Sequence, residues 1–121
     1  MSDREWLGGP AVVVMPGEID IINADSVGER LCAAIVSGAA VIIADLSMTT
    51  FCDCAGVYSL LLAHRQASAS NAELRLTVGT RGVRRILALL KADQVLAVYP
   101  DLGAAVAARP APVRRTAAQP C

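Results

Sequence analysis

Aromatic residues are nearly missing from this chain, which has one Trp, two Tyr and one Phe among 121 residues. The core must be assembled from Val, Ile, Leu and Ala, and with 55% hydrophobic residues there are enough of them for one domain. Histidine is scarcer still. His64 is the only one, which removes most metal centres and most nucleophile–histidine arrangements. It falls on the apolar stripe of its own helical segment, where it reads as a packed or edge residue. No apolar run approaches the roughly 18 residues needed to span a bilayer. The start, "MSDREWLGG", puts acids ahead of any apolar stretch and lacks a signal-peptide layout. These absences predict a cytoplasmic protein. Net charge is absent too: 11 basic and 11 acidic residues balance, with a pI near 6.5. That argues against a protein built to hold a phosphate backbone. The phosphate-cradling loops GxxxxGKS/T and GxGxxG after a strand do not occur.

What the chain does contain is regular alternation. "AVVVM" (Ala11–Met15) is a β-branched run closed by Pro16 and Gly17, and reads as a strand. Trp6 and Leu7 before it suggest a partner strand in an N-terminal hairpin. "INADSVGERLCAAIVSG" predicts a helix, with Asn23 as N-cap, Asp25 at its positive end and Gly38 at its C-terminal stop. Val27, Leu31, Ala34 and Ile35 form one face. "AVIIADL" is apolar until Asp45, the pattern of a strand covered on both sides. "AGVYSLLLAHRQAS" carries Val57, Leu60, Leu61 and His64 at helical spacing, and "AELRLTV" alternates as a third central strand. "TRGVRRILALLKAD" repeats the helical stripe through Val83, Ile86, Leu87 and Leu90. "QVLAVY" predicts a last strand, and Asp101 can cap "LGAAVAA" as a last helix. The alternation implies an α/β domain over residues 1–108 with a mixed, mostly parallel sheet of about five strands and about four helices. Residues 109–121, proline-punctuated and without periodicity, read as a flexible tail.

Four cysteines at irregular spacing suit thiols better than a disulfide framework. Two of them bracket an aspartate in "TTFCDCAG", at a strand-to-helix turn. Phe51 and Cys52 read as the end of a buried connection. Cys54 sits at or just before the helix start, where amide groups and the dipole favour an anion and a more reactive thiol. Inert packing, a metal ligand or a redox-active thiol all remain open from these residues alone, as does an Asp20–Asp53 acid–base pair. The clustered nucleophile, base and oxyanion donors of an enzyme are not supplied, and a binding surface on a rigid scaffold is the expectation.

Three blocks carry a family likeness. "VVVMPGEIDIINADSV", "VIIADLSMTTFCDCAGVYSLLLA" and "LRLTVGTRGVRRILALLKADQVLAVYPDLGAAV" together resemble the STAS domain of bacterial anti-sigma factor antagonists, from about Trp6 to Ala108. The resemblance implies the STAS fold and partner switching. Such a domain binds an anti-sigma factor, a GHKL-type serine-protein kinase, to regulate transcription, with no cofactor. It implies a partner surface of Glu18, Asp20, Asp53, Cys54, Ala55, Gly56 and Tyr58, with Cys54 in the place of the serine the kinase phosphorylates. Neither Cys54 nor Ala55 has a hydroxyl, so the usual phosphorylation is not expected there. Ser47, Thr49, Thr50 and Ser59 are the nearby hydroxyls, and none holds the motif position. Tyr58 replaces a residue that is commonly small in the family. Alternatives are a constitutive scaffold in a sensory or transport complex and a thiol sensor through Cys54. A homodimer is left open.

Overall fold

The computed structural model describes residues 9–109. Among the described residues six strands and four helices follow one another in chain order: β1 (Ala11–Val14), β2 (Glu18–Ile19), α1 (Ala24–Val36), β3 (Val41–Leu46), β4 (Phe51–Cys52), α2 (Cys54–Ala69), β5 (Glu73–Val78), α3 (Arg81–Leu89), β6 (Ala97–Tyr99) and α4 (Leu102–Ala107). A 3₁₀ turn, Ala92–Gln94, stands between α3 and β6. The main sheet has the order β1-β3-β5-β6, and every pairing in it is parallel. β2 and β4 form a separate parallel ribbon.

The register explains why β3 and β5 are so apolar. Ile42 pairs with Leu74, Ala44 with Leu76 and Leu46 with Val78, and all six side chains enter one core. Val27, Leu31 and Ile35 of α1, Val57, Leu60 and Ala63 of α2, and Val83 and Leu87 of α3 close over that face. A fully buried Leu or Ile in this layer contributes about 1.5–3 kcal/mol. The reverse face carries Ile43, Arg75 and Thr77, also buried. Here α4 packs against β3, β5 and β6, and Arg75 ties it down. The Arg75 guanidinium donates to the Ala105 carbonyl at 2.6 Å and grips Glu73 at 3.1 and 3.2 Å.

The α/β architecture with four helices matches the sequence reading, and several details differ. Trp6 and Leu7 lie outside the described residues, as do residues 110–121 of the expected tail; β1 pairs with β3. Asn23 precedes α1 but does not cap it through its side chain. That amide reaches backwards instead, accepting from the Asp20 amide and donating to the Glu18 carbonyl, each at 2.9 Å. Phe51 is half exposed rather than buried, because β4 pairs only with β2 and its outer side faces solvent. Leu90 is exposed at 42%, since α3 ends at Leu89 and Lys91 turns into the left-handed region at φ +60°. Gln94 belongs to the 3₁₀ turn, so β6 is shorter than "QVLAVY". Gly38 stops α1 with φ +94°, and Asp101 caps α4 at 2.8 Å, both as expected.

Candidate functional site

The site begins with the β2–β4 ribbon. Glu18 faces Phe51 and Ile19 faces Cys52 in register, so "GEID" and "FCDCAG" meet although more than thirty positions separate them in the chain. The Asp53 amide extends the pairing by donating to the Ile19 carbonyl at 3.1 Å. Asp53 then opens α2. Its extended backbone and its Oδ1, accepting from the Gly56 amide at 3.0 Å, make it an N-cap.

Gly56 is there for space. A Cβ at that position would lie 2.7 Å from Cys52 Sγ and 2.8 Å from Ile19 Cγ2. The helix start is thus pressed onto the ribbon through a residue without a side chain. Between these two anchors Cys54, the first helical residue, is exposed, and Ala55 is half buried. Tyr58, one turn on from Cys54 and 62% exposed, lies on the same side of the helix. Asp20 is half buried and folds its Oδ1 onto the Ile22 amide at 3.0 Å and the Asn23 amide at 3.4 Å. Glu18 points outward. The structure therefore brings Glu18, Asp20, Asp53, Cys54, Ala55 and Gly56 to one end of the molecule. The carboxylates of Asp20 and Asp53 are both occupied with backbone amides.

The two thiols differ sharply. Cys52 is 4% exposed, and burial together with the Asp53 carboxylate and Cys54 pushes its pKa up to about 11. It is a packing residue, as the sequence suggested. Cys54 meets solvent; Cys121 lies outside the described residues. Among the described residues no three His, Cys, Asp or Glu side chains converge as metal ligands. His64 is half buried on α2. Its Nδ1 is buried without a hydrogen-bond partner, and burial holds its pKa below the ordinary value.

Three of the four neighbouring hydroxyls are tied down. Thr49 is fully buried and donates to the Pro16 carbonyl at 2.7 Å, and Ser59 is buried and donates to the Ala24 carbonyl at 2.9 Å. Ser47 bonds to Asp45 Oδ1, which also accepts from Thr77 Oγ1 at 2.7 Å and from the Ser47 amide at 3.0 Å. Burial raises the Asp45 pKa, but these three bonds outweigh it and leave it lowered. Only Thr50 is exposed, making one long bond to the Gly17 carbonyl.

Sequence reasoning missed the exposed apolar residues that neighbour these motifs in the chain. Ile21, Ile22, Met48 and Phe51 are 77%, 87%, 76% and 50% exposed. Ile21 and Ile22 follow the "GEID" block and Met48 directly follows "DLS", outside any amphipathic stripe, and that lack of periodicity was the available signal. It also missed the buried Arg75, although one arginine inside "ELRLTV" marks a covered face with a polar demand.

A family model described as the STAS domain matches residues 3–105. Among curated proteins no sequence match was found. Among solved structures the chain is similar to an anti-sigma factor antagonist from Mycobacterium paratuberculosis, with TM-score 0.73, 24% identity, and 82% of this chain and 86% of that one covered. It is also similar to the anti-sigma factor antagonist SpoIIAA in its unphosphorylated form, with TM-score 0.65, 22% identity, and 79% and 84% covered. A sulfate transporter family protein from Wolinella succinogenes gives TM-score 0.73, 17% identity, and 83% and 84% covered. At these identities the likeness is one of fold. Among the described residues no helix is long and apolar enough to cross a membrane.

Proposed function

This chain belongs to the STAS domain family, and on that premise we propose that it is an anti-sigma factor antagonist-like binding module acting in the cytoplasm without catalysis of its own. Its partner is an anti-sigma factor of the GHKL-type serine-protein kinase class, and its effect is on transcription. The contact surface is the end of the molecule carrying Glu18, Asp20, Asp53, Cys54, Ala55, Gly56 and Tyr58, framed by Ile21, Ile22 and Met48.

One observation carries the reading. The α2 start is built as a rigid, exposed platform, with Asp53 capping and Gly56 seated on Ile19 and Cys52, yet the outward residue is a thiol. A phosphoserine there would place about two negative charges at the contact surface and switch binding off. Cys54 keeps the shape of the platform without that acceptor. The module is then a constitutive antagonist whose complex ATP does not dissolve.

The test is a binding assay with the cognate anti-sigma kinase, with and without ATP and Mg²⁺. The complex is expected to persist in both conditions, and Cys54→Ser is expected to make it ATP-sensitive. Transfer of label from ATP onto the unaltered chain, abolished by Cys54→Ala, refutes the proposal. The likeness to a transporter-family protein favours a second reading, a fixed adaptor in a transport complex. Co-purification with a transporter subunit and not with a kinase would select it.

A further inference from the structure

A groove of about 240 Å³ runs between β4 and α3, on the flank of the molecule beside the α2 platform. Phe51 and Cys52 form one wall, and Gly82, Arg85, Ile86 and Leu89 form the other. Those four α3 residues recur at i, i+3, i+4 and i+7, so one helical stripe lines the groove, with Ile86 half buried and also packed against the core. Leu89 is 70% exposed and Phe51 50%, which leaves apolar surface open at a concave site. Gly82 keeps it open: a Cβ there would find only the Thr50 carbonyl, 3.9 Å away.

Charge is concentrated here as well. From Thr80 to Lys91 the chain has Arg81, Arg84, Arg85 and Lys91 and no acid, in a protein whose net charge is zero. Arg84 is spent on the Val78 carbonyl at 3.3 Å. Arg81 lies one turn before Arg85 on the same side of α3, and both are exposed. Among the described residues the Arg75–Glu73 pair is the one ion pair, so neither Arg81 nor Arg85 is neutralised by a carboxylate there.

We propose that this groove docks an acidic, amphipathic segment of a partner protein, whose apolar side chains enter between β4 and α3 while its carboxylates meet Arg81 and Arg85. Concavity decides for a peptide over an anionic membrane, since a bilayer surface engages a protruding apolar face and a groove of this size takes individual side chains. The carboxylates match the two free guanidiniums, which present forked donors to planar acceptors. Cys54 is not among the residues that line the groove, and the inference does not depend on the proposal made for that position.

The test uses the full chain, isotope-labelled, and a short peptide of glutamates with leucines at i, i+3, i+4 and i+7. A matching peptide with lysines for glutamates and phosphatidylglycerol vesicles serve as the other probes. Binding of the acidic peptide is expected to shift the amides of Phe51, Gly82, Ile86 and Leu89. The double variant Arg81→Glu/Arg85→Glu is expected to weaken it about tenfold by opposing like charges. Gly82→Leu, which fills the groove and leaves every charge in place, is expected to weaken it to a similar degree, and the spectrum itself reports whether each variant is folded. The proposal is overturned by no binding, by shifts mapping elsewhere, by equal binding of the lysine peptide, or by vesicles binding more tightly than the acidic peptide.

Discussion

Adding one methyl group at position 56 tests the central packing claim. In Gly56→Ala the new Cβ would stand 2.7 Å from Cys52 Sγ, 2.8 Å from Ile19 Cγ2 and 3.2 Å from Ile19 Cβ. Comfortable carbon contacts begin near 3.5 Å, so the start of α2 must retreat by nearly an ångström or the ribbon must yield. Retreat is opposed by the Asp53 amide bond to Ile19 at 3.1 Å and by the Asp53 cap at 3.0 Å. Overpacking of this kind costs about 1–3 kcal/mol. Alanine returns up to about 1 kcal/mol through its better helix propensity. The expected balance is a loss of about 1–2 kcal/mol, read by urea unfolding followed by circular dichroism, or as roughly 4 °C in Tm per kcal/mol. Cys52→Ala vacates one of the crowded positions, so the double variant should lose at least about 0.5 kcal/mol less than the two single losses added. A Gly56→Ala protein as stable as the parent, or strict additivity in the double variant, would refute the argument that Gly56 exists for contact with Cys52 and Ile19.

Three further outcomes follow from other parts of the structure. Asp45→Asn is expected to cost about 1–3 kcal/mol at neutral pH, because three donors converge on that carboxylate. Its folded pKa is lowered, so its contribution is present above the unfolded value of 3.8 and fades as pH falls below it. Urea titrations of parent and variant should converge in acid, and a constant gap would contradict this. Arg75→Met should raise hydrogen exchange in α4 more than in α1, since the guanidinium holds the Ala105 carbonyl; equal protection in both would count against the tether. Iodoacetamide at neutral pH should alkylate Cys54 in the native protein and reach Cys52 only on unfolding, given burial and a pKa near 11. Mass spectrometry showing Cys52 labelled as fast as Cys54 would be decisive against it.

Much of this fold was legible because its signals are local. The apolar runs of β3 and β5 announced strands covered on both faces, and Gly38 and Asp101 marked their helix ends by backbone conformation and capping chemistry alone. Asp53 and Gly56 were recognisable as a turn for the same reason. What escaped depended on distant partners. Asn23 has the chemistry of a cap, yet the backbone of Asp20 and Glu18 offers it a better pair of bonds. Phe51 looked buried because apolar residues usually are, whereas a two-residue ribbon has a side that nothing covers. Ser47, Thr49 and Ser59 could not be separated from Thr50 by sequence, since only the fold decides whose carbonyl or carboxylate each hydroxyl meets. The groove beside α3 has the same cause: a helical stripe does not say whether it faces a core or an opening.

The two anchors of the α2 start have an implication for how this position can change over generations. Asp53 and Gly56 secure the helix from either side of Cys54, and the side chain between them carries no part of the load. Serine, aspartate or cysteine can therefore be exchanged at position 54 with a stability cost within about 0.5 kcal/mol, as for other exposed sites. The fold then leaves selection free to rewrite the signal the surface responds to, one codon at a time, without first repairing the scaffold that presents it.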